Sequence, residues 1–203
     1  MESLKPGKKT LEERLEELKA RVEDPKFFEN SSKSSESNYW VFDYDPKDEL
    51  TVRAGIRDIQ KSMENIIPLQ VFDLYEIMIE YLKSKNFLER TFKMEEKRGI
   101  EGIGGAIGRA LCLATGSGGE NRIVEYLVEH ANPNSTIFFT GVGKCFPILK
   151  GREVFSLVFY NLPRQFYQTP LILFYPGVYT ELELKMFGEV KEDNYYRARR
   201  IVR

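Results

Sequence analysis

Near the start of the chain, Leu11, Leu15, Leu18 and Val22 recur at i, i+4, i+7 and i+11, and the positions between them are Glu, Lys, Arg or Ala. That is one narrow helical stripe, and Thr10 with Glu13 has the spacing of a capping box. The pattern predicts an N-terminal helical arm within residues 1–28 that docks on the body, with a partner-facing arm as the alternative. The serine-rich ENSSKSSESN, residues 29–38, reads as a flexible connector. Residues 39–203 then read as a single α/β domain.

In that domain, YWVFDY at 39–44 is aromatic and β-branched and predicts a first strand. Asp45 before Pro46 is a helix start, because proline is tolerated in a first turn. Val52, Ile56, Ile59 and Met63 follow at helical spacing. IIPLQVFD, 66–73, predicts a second strand, after which Asp73 and Glu76 cap a helix with Leu74, Ile77, Met78, Tyr81 and Leu82 on its apolar face. The glycine-rich RGIEGIGGAIGRALCLATGSGG, 98–119, predicts a helix from about 103 to 114. A clearer helix spans 120–131, with Ile123, Val124, Leu127 and Val128 on one side. STIFFT at 135–140 reads as a strand, 145–161 as a helix with Pro147 in its first turn, and PLILFYP at 170–176 as a strand. ELELKMFG, 181–188, reads as a short helix and YYRARRIV, 195–202, as an edge strand. Strands separated by helices require crossover connections. The fold class is therefore α/β: a mostly parallel or mixed sheet with helices on both faces, layered like a Rossmann or P-loop fold.

Composition narrows the functions available. Thirty basic against 31 acidic side chains leave a net charge of −1 in 203 residues, so no basic surplus drives non-specific DNA binding. Cys112 and Cys145 form no CxxC pair and His130 is the single histidine, which leaves no ordinary Cys/His zinc site. His130 itself suits a structural role at a helix C-terminus. With no leader-like or membrane-spanning apolar run, the expected location is the reducing cytoplasm.

Two stretches have the outline of an enzyme. FFTGVGKCFP, 138–147, ends a strand in Gly-x-Gly-Lys. A P-loop needs Gly-x-x-x-x-Gly-Lys and then Ser or Thr, so that backbone amides wrap the phosphates and a hydroxyl holds magnesium. Here Phe138 stands where the first glycine belongs and Cys145 takes the place of the hydroxyl, so no functional P-loop is expected. The second stretch is VFDYDPKDE, in which a strand ends Asp-x-Asp. Asp43 and Asp45 in that pattern define the enzyme alternative, a magnesium-dependent phosphatase or nuclease with one carboxylate as nucleophile and the other as general acid. Pro46 and the acidic Asp48-Glu49 favour helix capping instead. No catalytic, metal-binding or cofactor-binding residues are therefore assigned.

At the C-terminus, Arg197, Arg199, Arg200 and Arg203 lie beside Tyr195 and Tyr196. Guanidinium groups with aromatics suit a protein interface, and an edge strand armed against aggregation would look the same. A direct nucleic-acid-binding subunit is the third reading. Tyr179, Tyr195, Tyr196 and Arg197 are the candidate interface residues.

The same region carries a family likeness. LILFYPGVYTELELKMFGEVKEDNYYRARRIV, 171–202, resembles the C-terminal signature of the BrxB family of BREX bacteriophage-exclusion systems. FDYDPKDELTVR at 42–53, VFDLYEIMIEYL at 71–82 and FFTGVGKCFPIL at 138–149 are similar as well. The sequence departs from the family at RARR, where a bulky apolar residue is expected after Arg-Ala. The resemblance implies a small accessory component working beside a large ATPase, a PglZ-type alkaline-phosphatase-like protein and a DNA methyltransferase. It implies a scaffold or adaptor that docks the PglZ-type protein and links it to the ATPase, and it supplies no catalytic residues.

Overall fold

Strand β1, Tyr39–Tyr44, runs beside β4, Leu171–Tyr179, in a parallel register that places Tyr39 opposite Leu171 and Asp43 opposite Tyr175. Both are apolar on both sides, as strands covered on two faces must be. The computed structural model describes residues 9–33, 38–66, 68–113, 121–149, 151–155, 161–180, 183–187, 190–193 and 198–203. Within them β2 (Leu69–Asp73), β3 (Thr136–Thr140), β4, β1 and β7 (Arg199–Arg200) lie in the order β2-β3-β4-β1-β7, every pairing parallel. Strands β5 (Glu183–Met186) and β6 (Val190–Asp193) extend β4 as antiparallel neighbours. The sheet is therefore mixed but mostly parallel.

Strand alternation sends side chains into two cores. Trp40, Phe42, Phe138, Ile172 and Phe174 meet helix α1 (Leu11–Glu23) and helix α3 (Glu49–Met63) on one face. Val41, Phe139, Leu171, Leu173 and Tyr175 meet α4 (Leu74–Ser84), α5 (Leu88–Ala110), α6 (Arg122–His130), α7 (Val142–Cys145) and α8 (Gly151–Phe155) on the other. Helices on both faces were expected from the sequence, and both are found. Leu15, Leu18 and Val22 are buried. At about 1.5–3 kcal/mol for each such side chain, this packing contributes strongly to holding α1 on the body. The capping box at Thr10 is formed, and Asp73 caps α4 by accepting from the Tyr75 and Glu76 amides.

Four expectations need correcting. Helix α2 (Pro25–Lys33) takes up the first half of the expected connector; residues 34–37 lie outside the described residues. The helix expected at 103–114 begins at Leu88, breaks at Gly99, whose φ of 69° favours glycine, and ends at Ala110. Its end is a Schellman closure: Cys112, at φ 54°, donates to the Arg109 carbonyl and Leu113 to that of Gly108. The helix expected over 145–161 is found in pieces: α7 starts earlier, at Val142, and stops at Cys145, because Phe146 precedes a proline and is held extended, and α8 resumes over Gly151–Phe155; residues 150 and 156–160 are not described. Finally, 183–186 is a strand: Leu184 and Met186 are buried at two-residue spacing while the ladder to β4 supplies backbone partners.

Candidate functional site

In an open α/β sheet, ligands bind beyond the carboxyl ends of neighbouring strands whose connections leave toward opposite faces. Here that point lies between β1, which leads to α3 on one face, and β4, which leads to β5 against the other. Asp43 sits there, 5% exposed. Arg14 on α1 donates to its Oδ1 at 3.0 Å, and the Tyr179 backbone amide donates to Oδ2 at 3.1 Å. Arg200 on β7 donates to the same Oδ2, and also to the Tyr179 carbonyl at 2.7 Å. The carboxylate is thus closed in by three segments of its own chain. The Arg14 guanidinium also lies 4.7 Å from the centre of the Phe42 ring.

Asp45, the other half of the Asp-x-Asp pair, points elsewhere. It is exposed, accepts from the Lys47 amide at 3.1 Å to cap the turn Pro46–Asp48, and pairs with the Lys47 ammonium at 2.8 Å. Hydrogen bonding from Lys47 lowers its pKa. The sequence places the two carboxylates two residues apart, but the fold gives them separate partners and no shared coordination position. No cluster of three or more His, Cys, Asp or Glu with metal-binding geometry occurs among the described residues.

The Gly-x-Gly-Lys stretch folds as a tight turn. Gly141 adopts φ 76°, which glycine alone reaches without cost. A side chain there would place its Cβ 2.1 Å from Asp73 Oδ1. Lys144 does not project into a cradle; its ammonium pairs with Asp73 at 2.7 Å and Glu76 at 3.0 Å. Burial acts to lower its pKa, but the hydrogen bonds and charges of those two carboxylates outweigh burial and raise it. The lysine ties α7 to the start of α4. Next to it Cys145 is buried, and burial pushes its thiol up to about 12. That is the reverse of an activated nucleophile. His130 stacks on Tyr126 with ring centroids 4.1 Å apart, and its Nδ1 lies 2.8 Å from the Tyr126 carbonyl.

Of the candidate interface residues, Tyr195, Tyr196 and Arg197 lie outside the described residues. Tyr179 is corrected. It is 3% exposed, stacks on Phe155 with ring centroids 5.5 Å apart, and donates its hydroxyl to the Ala198 carbonyl at 2.7 Å. Its apolar neighbours and its hydroxyl partner are internal, so its side chain is core. The residues missed in the sequence are Arg14 and the part played by Arg200. One signal was present for Arg14, which falls at i+3 within the Leu11, Leu15, Leu18 stripe, on the face turned toward the sheet.

The family model described as BREX protein BrxB matches residues 70–201. The chain is 39% identical over 194 residues to a BREX protein BrxB from Bacillus cereus (strain H3081.97), a match covering 95% of this chain and 97% of that one. It is 27% identical over 194 residues to a BREX protein BrxB from Escherichia coli O9:H4 (strain HS), covering 95% and 92% respectively. No solved structure matches. No helix among the described residues is long and apolar enough to cross a membrane.

Proposed function

Because the chain belongs to the BrxB family, a component of BREX phage-defence systems, we propose that it serves there as a non-catalytic scaffold in the cytoplasm. It docks the PglZ-type protein and links it to the large BREX ATPase. One observation carries the non-catalytic part of this reading: the crevice where such a sheet would hold a ligand is filled by Asp43, Arg14, Arg200 and the Tyr179 backbone. A nearly buried carboxylate whose oxygens are already engaged by two guanidinium groups and an amide is arranged as an internal ion-pair partner, not as a ligand for magnesium or a nucleophile toward a phosphoester.

Association of this kind concentrates its energy in a few buried arginine and aromatic anchors. Arg197 and its neighbours Tyr195 and Tyr196 are the proposed anchors, at the C-terminal end of the chain. The test is co-purification of the full-length protein with the PglZ-type protein and with the ATPase. Arg197→Ala is expected to weaken capture by about 2 kcal/mol or more while leaving thermal unfolding unchanged. Undiminished capture would remove Arg197 from the interface, and no capture of either partner by the unaltered protein would end the scaffold reading.

A further inference from the structure

Strand β2 ends the order of the sheet, and among the described residues no strand pairs with its outer side. The direction of its backbone follows from the register. Thr136 donates to the Pro68 carbonyl at 2.9 Å, and Leu69 lies opposite Thr136. Main-chain groups alternate sides along a strand, so Pro68, Gln70 and Phe72 face β3 while Leu69 and Val71 turn N–H and C=O to the open edge. Alongside runs a groove of about 430 Å³ between this edge and the last turns of α3. Its lining includes Met63, Pro68 and Leu69, together with Arg57, Lys61 and Glu64.

Arg57 and Lys61 stand one helical turn apart, both exposed. Neither makes an ion pair among the described residues, although Arg14, Arg53, Arg122, Lys144 and Arg200 all do. With Glu64 as the single acid among the described lining residues, those residues carry a net positive charge. An edge with unpaired backbone groups is a template for another strand, and side-chain pockets beside such an edge confer specificity. We infer that the β2 edge binds an extended, acidic segment of a partner protein by strand addition. The segment exchanges hydrogen bonds with the main chain of Leu69 and Val71, and its carboxylates meet Arg57 and Lys61. The inference rests on the adaptor reading and deepens it, assigning a docking edge at the opposite end of the sheet from β7.

The probe is a fluorescein-labelled octapeptide of alternating valine and glutamate, compared with its valine–lysine counterpart, on the full-length protein. Saturable binding of the acidic peptide is expected, at least tenfold tighter than the basic one, with slowed hydrogen exchange at the Leu69 and Val71 amides. Val71→Pro removes an N–H that faces away from β3, so it spares the ladder and should abolish binding. Arg57→Glu with Lys61→Glu, on the exposed face of α3, should weaken binding at least tenfold without touching the strand. Equal affinity for both peptides, no binding, or unchanged exchange at those two amides would overturn the proposal. Self-association that Val71→Pro dissolves would overturn it too, by making a second copy the occupant. Co-purification with the PglZ-type protein or the ATPase tests the adaptor reading separately. If capture persists while the peptide fails, this edge falls and the scaffold stands.

Discussion

Asp43, near the end of β1, and Lys144, past the end of β3, are both charged groups at the carboxyl side of strands that flank β4. Asp43 is buried, and its partners come from the N-terminal helix, the C-terminal strand and the extension of β4. Lys144 is partly exposed, and its partners are the N-cap and one first-turn acid of a single neighbouring helix. The same chemistry has different consequences at these two depths. A half-exposed ion pair is screened by water and contributes about 0–1 kcal/mol. Removing one member of a buried pair strands its partner and costs about 3–5 kcal/mol. The Asp43 cluster ties the N-terminal helix, the β4 extension and the C-terminal strand together in the interior, while the Lys144 cluster joins α7 to the start of α4 near the surface.

This contrast is testable. The largest effect is expected at Asp43: Asp43→Ala leaves Arg14 and Arg200 converging on an empty space and should cost about 3–5 kcal/mol. Asp45→Asn, two residues on and exposed, should leave the urea midpoint unchanged. Equal losses for the two would mean that burial does not separate them. A smaller loss is expected at the β3 turn, where Gly141→Ala forces a side chain into φ 76° and onto Asp73. The cost should be about 1–3 kcal/mol, and much of it should be relieved when Asp73→Ala is added. If the two losses simply added, the clash would not be their link.

The third effect is nil at neutral pH and emerges in alkali. Burial raises the Cys145 thiol from 9.0 to about 12, with the Asp73 charge adding to the rise and Lys144 opposing it. The unfolded chain therefore gives up this proton first. The stability it contributes is intact below pH 9.0 and declines as pH rises toward about 12. Burial and the Glu49 hydrogen bond raise the Tyr44 hydroxyl in the same direction. Urea midpoints across this range should fall less steeply for Cys145→Ala than for the unaltered protein. Parallel curves would show that the thiol is not shielded.

How much of this was legible in advance depended on the distance over which each feature is encoded. The stripes at Leu15, Leu18, Val22 and at Val52, Ile56, Ile59, Met63 state their own burial, because a helix brings residues three and four apart onto one face. Capping by Thr10, Asp45 and Asp73 is likewise written within three residues. The strand at 183–186 shows where local reading fails. ELELKMFG is composed of residues suited to a helix, yet Leu184 and Met186 fall at the spacing of a strand, and the exposed backbone of β4 decides between the two.

The sequence by itself determined the family, the α/β alternation, the placing of most elements and the weakness of the Gly-x-Gly-Lys outline. Tertiary structure alone decided the strand order, the burial of Tyr179 and the fate of Asp43. The partners of that carboxylate lie 29, 136 and 157 residues away along the chain. Periodicity and capping report on backbone hydrogen bonds that close within a few residues. The meeting of Arg14 and Arg200 on one carboxylate instead depends on which strands lie side by side, and that is settled only when the two cores close over the sheet.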